Sequence, residues 1–114
     1  MAFSEILAMR VRDILAQTPR VTEKRMFGGL AFMVDQKMCV TVGKDRIMVR
    51  IDPAIHDKLA VAKGATPMLM RGREYKGYIR VNETALKTRK DLERWVALAL
   101  TFNGRAKKSK KSTK

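Results

Sequence analysis

Three blocks of apolar alternation, Leu30-Phe32-Val34, Met38-Val40-Val42 and Ile47-Val49-Ile51, follow one another almost without pause. A period of two sends successive side chains to opposite faces of a strand. The breaks between blocks, Asp35-Gln36 and Gly43-Lys44-Asp45, leave room only for tight turns. Residues 25–51 are therefore expected to form a three-stranded antiparallel meander. Gly28-Gly29, at its start, is read as a bulge or a close backbone approach. Such a meander has one apolar face that other elements must cover.

The covering elements are legible on either side. Phe3, Ile6, Leu7, Val11, Ile14 and Leu15 recur at helical spacing, Ser4 stands at the N-cap and Pro19 ends the run. Residues 19–24 read as a polar connector. After the meander, Asp52-Pro53 starts a short second helix that Gly64 ends, with Ile55, Leu59 and Ala62 on one side. Thr66–Arg71 and Tyr75–Val81 predict two more strands, the first at an edge or irregular because of Pro67. Thr88 and Asp91 have capping-box spacing ahead of Leu92, Trp95, Val96, Ala99 and Phe102, and Asn103-Gly104 closes a third helix docked by Trp95. The order α-β-β-β-α-β-β-α predicts a two-layer α+β domain over residues 1–104, an antiparallel sheet with helices on one face. Residues 105–114 lack the apolar content to fold and are expected to be a disordered basic tail.

Charge is the second constraint. The 114 residues carry 25 Lys and Arg against 11 Asp and Glu, a formal +14. Arg105, Lys107, Lys108, Lys110, Lys111 and Lys114 concentrate part of it in the last ten residues, where cations attract any polyanion by counterion release. Strand alternation collects a second group on the uncovered sheet face: Lys37, Cys39 and Thr41, then Arg46, Met48 and Arg50, then Lys76, Tyr78 and Arg80. The ordinary reading of such a face is solvated or dimer-forming surface. The functional reading is nucleic-acid contact, cations for phosphates and a ring for a base. Lys76-Gly77-Tyr78-Ile79-Arg80-Val81 only partly matches an RNA-recognition signature, and a helix-first chain order does not suit that fold.

Catalysis has little to assemble from. His56 reads as a surface histidine beside Asp57, and Cys39 as a half-buried small side chain on a strand. Nucleotide, dinucleotide, zinc-protease and nucleophile-elbow motifs are absent from the sequence. One cysteine and one histidine do not make a structural zinc site, so neither metal nor cofactor is expected. With no disulfide pair, no long apolar span and no signal-peptide pattern, the expected location is the cytoplasm, away from membranes.

Spaced motifs carry a family resemblance. Arg25-Met26-Phe27-Gly28-Gly29-Leu30-Ala31-Phe32-Met33, Lys37-Met38 and Met48-Val49-Arg50-Ile51-Asp52-Pro53 are followed by Gly64-Ala65-Thr66-Pro67-Met68, Gly72-Arg73 with Lys76-Gly77-Tyr78, and Leu92-Glu93-Arg94-Trp95-Val96. Over about residues 3–102 the chain resembles the TfoX/Sxy N-terminal domain. Gln36 departs from the Gly usual before Lys-Met. The resemblance implies a two-layer α+β fold similar to the secretion-chaperone-like folds and supplies no catalytic residues. It also implies a link to transcription or competence regulation through protein partners, since full-length members act with a cyclic-AMP receptor protein and carry a second domain where this chain has its lysine tail. The expected function is thus a non-enzymatic regulatory or adaptor domain, monomeric or homodimeric, with a transcription regulator as protein partner and non-specific DNA or RNA affinity from the tail. The alternative is a small-molecule-binding or enzymatic domain that uses Cys39, His56 and the sheet-face arginines.

Overall fold

The computed structural model describes residues 3–26, 29–70 and 72–104. Helix α1 (Glu5–Ile14) begins where Ser4 Oγ accepts the Leu7 N–H at 3.1 Å. Six strands follow in one antiparallel sheet: β1 (Val21–Met26), β2 (Gly29–Val34), β3 (Lys37–Val42), β4 (Arg46–Arg50), β5 (Ala65–Met70) and β6 (Arg73–Asn82). Their spatial order is β1-β2-β3-β4-β6-β5. Helix α2 (His56–Ala60) lies between β4 and β5, and α3 (Arg89–Asn103) ends the fold. The α+β class and the antiparallel sheet agree with the sequence expectation.

One strand is additional. The connector at 19–24 contributes most of β1, an edge strand whose Thr, Glu, Lys and Arg side chains hide it from periodicity analysis. Charged residues are a usual way to blunt a sheet edge. Gly29 fulfils its expected role as a close approach, since a Cβ there would lie 2.7 Å from the Val42 carbonyl oxygen.

Leu30, Phe32, Val40, Val42, Ile47, Val49, Ile79 and Val81 are all buried on one sheet face. Helices α1 and α3 lie on that side. Leu7, Ala8, Val11 and Leu15 are buried from α1 and the turn that follows it, and Leu92, Trp95, Val96 and Ala99 from α3. Arg12 of α1 stands 6.0 Å from the Phe32 ring centroid and pairs with Glu23 of β1. Ile6 falls outside this stripe and is 72% exposed. Arg10 Nη2 of α1 donates to the carbonyl of Leu86, ahead of α3, at 2.6 Å, and Arg89 of α3 pairs with Asp13 of α1.

The second helical segment is divided: Asp52 caps a 3-10 turn at Pro53–Ile55, and α2 adds five residues. His56, expected at the surface, is fully buried, its Nδ1 accepting the Gly77 N–H at 2.9 Å. This bond fastens α2 to β6. Helix α3 starts at the expected cap, Thr88 Oγ1 accepting from Asp91 N–H at 3.0 Å. Its C-cap, Gly104, stays in the right-handed region at φ −62°.

Candidate nucleic-acid interface

The second sheet face is built by cross-strand neighbours. Arg46 faces Asn82, Met48 faces Arg80 and Arg50 faces Tyr78, so strand pairing joins five of the six sheet-face candidates, the exception being Lys76. The row through Met48 runs from Lys24 on β1 through Ala31 and Thr41 to Arg80 and Thr66. Met48, Arg50, Tyr78 and Arg80 are half-buried, as long side chains lying on an uncovered sheet are.

A bulge in β3 changes the membership of this face. Val34 pairs with Lys37 and Met33 with Met38, but Phe32 pairs with Val40, leaving Cys39 as the extra residue. Lys37 therefore shares the side of Val34, where it is buried, with Nζ 3.9 Å from Asp35. Met38 turns instead to the open face beside Met33, accepting a 3.5 Å contact from Thr41 Oγ1. Strict alternation places Lys37 and Cys39 on the open face and Met38 in the core; the bulge reverses this. A contrary signal is present in the sequence, because a two-residue turn at Asp35-Gln36 makes Val34 and Lys37 partners, which share a face.

Charges separate strongly. Across β1 to β4 and the Tyr78–Asn82 part of β6, none of the described residues that pairing places on this face is acidic. The helix layer, by contrast, holds Asp13 and Glu93 against Arg89, and Arg12 against Glu23 of β1. The Arg12–Glu23 contact is bidentate, at 2.6 and 2.8 Å, and that hydrogen bonding holds the Glu23 carboxyl below its ordinary range.

The candidate cations differ in their engagement. Lys76 bonds Asp57 of α2, and this contact lowers the Asp57 carboxyl. Arg46 lies 3.7 Å from Asp45. Arg50 sits with its guanidinium carbon 5.8 Å from the Tyr78 centroid and 5.8 Å from that of Phe102, in the last turn of α3. Arg80 makes no ion pair among the described residues. The tail candidates Arg105, Lys107, Lys108, Lys110, Lys111 and Lys114 lie outside the described residues.

Both named residues of the alternative constellation, Cys39 and His56, are buried. Cys39 is 1% exposed, and burial pushes its thiol up to about 12, opposite to what a thiolate nucleophile requires. His56 spends its Nδ1 on the Gly77 amide. Two surface depressions of about 220 Å³ each, one beside Lys63, Arg94 and Trp95 and one beside Met9 and Arg89, contain neither residue.

The family model for the TfoX N-terminal domain matches residues 13–103, from within α1 to the last residue of α3. No curated protein and no solved structure matches significantly. Among the described residues, no helix is long and apolar enough to cross a membrane.

Proposed function

The chain belongs to the TfoX N-terminal domain family, and from that premise we propose that it is a non-catalytic regulatory or adaptor domain acting where nucleic acid is present. The observation that carries this reading is the acid-free stretch of the open sheet face, with Arg80 and Lys24 in one row and Arg46 and Arg50 alongside. Cations concentrated on one surface, together with the +14 of the whole chain, favour phosphate contact by counterion release. Met33, Met38 and Met48 on the same face support a protein partner as a second occupant, because flexible thioether side chains adapt to varied surfaces. A link to transcription and competence regulation follows from the family and belongs to this proposal.

Labelled duplex DNA titrated with the full chain between about 50 and 200 mM salt tests it. If about six phosphates are contacted, the log–log slope is near −5, from about −0.9 per contact. Absent or salt-insensitive binding overturns the nucleic-acid component.

A further inference from the structure

The open sheet face divides into two chemically distinct parts. On the β4 and β6 side, Arg80 pairs with Met48 and lies diagonal to Arg46, which faces Asn82. Diagonal neighbours in an antiparallel pair are about 7–8 Å apart, so two long cationic side chains are rooted side by side along one border. Arg80 makes no ion pair among the described residues, and the 3.7 Å contact of Arg46 with Asp45 joins side chains that are 50% and 59% exposed. The Arg50 guanidinium is already seated against the Tyr78 ring, at 5.8 Å. On the other side, Met48 of β4, Thr41 and Met38 of β3, and Ala31 and Met33 of β2 make an uncharged floor, joined by the pairs Met48–Thr41, Thr41–Ala31 and Met38–Met33. Strands spaced about 4.7–4.9 Å apart give this floor a width of roughly 10 Å from β2 to β4. Its three methionines are only half-buried.

We propose that this face takes a single strand of nucleic acid along the β4–β6 border, with phosphates on Arg46 and Arg80 and bases laid over the thioethers of Met48, Met38 and Met33. The proposal rests on the nucleic-acid reading above and narrows it to one form of the polymer. Charge and apolarity together decide it. A duplex turns phosphates and sugars outward and keeps its base faces stacked inside, so it would meet the arginines and leave the methionine floor against a polar surface. A single strand offers both parts at once, phosphates along one edge and base faces beside them, and every base has such a face. Thioether sulfur makes favourable contacts with aromatic rings, and the unbranched side chain adapts to whichever base lies on it. Recognition of this kind reads no sequence, because phosphate contact is indifferent to the base and stacking tolerates all of them.

The test is fluorescence anisotropy with the full chain and three labelled probes of equal length over a salt series: an oligothymidine strand, the same backbone with abasic residues, and a mixed-sequence duplex. The variants are Arg46→Gln with Arg80→Gln, Met38→Thr with Met48→Thr, and Met48→Leu, each checked for folding by circular dichroism and thermal melting. The unmodified chain is expected to bind the thymidine strand at least about fivefold more tightly than the abasic strand, and more tightly than the duplex. The arginine pair variant weakens binding of both single strands several-fold and makes the salt slope shallower by about 1.4, from about 0.7 per single-strand contact. The methionine pair variant lowers thymidine affinity by roughly twofold to tenfold and leaves abasic affinity unchanged, while Met48→Leu, which keeps an apolar side chain, loses less. Equal binding of the thymidine and abasic strands, or a methionine pair variant without effect, overturns the base floor and leaves those side chains to a protein partner. An unchanged affinity and slope in the arginine variant overturns the phosphate border and assigns the affinity to other cations of the chain. Tighter binding of the duplex overturns the choice of a single strand. Absence of binding to every probe by the unmodified chain defeats the underlying nucleic-acid reading, and this proposal with it.

Discussion

Asp35 and Gln36 both adopt positive φ, 53° and 66°, and together turn β2 into β3. Two left-handed residues in a two-residue hairpin match the twist of the strands, but a residue with a Cβ is strained there by roughly 1–2 kcal/mol. Aspartate tolerates the conformation through its short polar side chain; glutamine has no such compensation. Gln36→Gly is expected to stabilise the protein by about 0.5–1 kcal/mol, the relief of strain being partly offset by a more flexible unfolded chain. Urea unfolding at unchanged m-value measures it, and a destabilised variant would show that the turn holds no such strain. Gly64 is the opposite case. It holds φ +80°, and a Cβ would lie 2.4 Å from the Ala85 Cβ. Gly64→Ala should therefore cost about 3 kcal/mol or more, from strain and overlap together. Adding Ala85→Gly should recover the overlap part and leave the strain. Cys39 gives a third measurement at this scale. Buried to 1% exposure with its thiol raised to about 12, it should react with a thiol reagent at pH 8 only as fast as the protein opens. Rapid labelling of the native chain would contradict the core placement.

Between elements, the Arg12–Glu23 fork is the clearest cross-link, tying α1 to the edge strand β1. Its contribution has a definite pH sign. Glu23 is held below its ordinary range in the fold, so the stabilisation is present above the unfolded carboxyl range and disappears as pH falls through the folded value. Both side chains are substantially exposed, 49% and 35%, which keeps the contribution under about 1 kcal/mol. Glu23→Gln should lower stability by roughly 0.5 kcal/mol at pH 7 and by progressively less as pH falls through the folded value of Glu23; a gap that does not shrink in acid would assign the effect to packing. This same strand explains what the sequence conceals. Helices α1 and α3, the meander and the Thr88 cap are legible because apolar spacing or a capping side chain writes them into neighbouring residues. Strand β1 has no apolar alternation because its ladder to β2 holds it, a non-local cause. The burial of His56 escapes a local reading for a related reason: what holds it is a bond to Gly77, 21 residues away. On the open face, Arg46, Met48, Arg50, Tyr78 and Arg80 follow from alternation, while Met38 and Lys37 exchange sides through the bulge at Cys39.

At the scale of the whole molecule, the balance is between a net +14 and a small set of ion pairs that join elements: Arg12–Glu23, Arg89 with Asp13, and Lys76–Asp57. Salt weakens both the repulsion and the pairing, with opposite consequences for stability and over different distances. At about 10 mM the screening length is about 30 Å, more than twice the 13.2 Å radius of gyration, so distant cations repel one another across the fold. At a few hundred millimolar it falls to a few ångströms, and only groups in contact still interact. The contact pairs are surface pairs of modest strength. Long-range repulsion among uncompensated cations therefore outweighs them and is the first to be screened. The thermal midpoint without nucleic acid is expected to rise by several degrees between about 10 and 300 mM sodium chloride, roughly 4 °C per kcal/mol for a domain of this length. A variant with Lys107, Lys108, Lys110 and Lys111 changed to Gln should rise less, because part of the repulsion has already been removed. A midpoint that falls with salt would mean that the ion pairs outweigh the repulsion. It would also mean that the open face is not under electrostatic stress, and hence that phosphate binding gains nothing from relieving it.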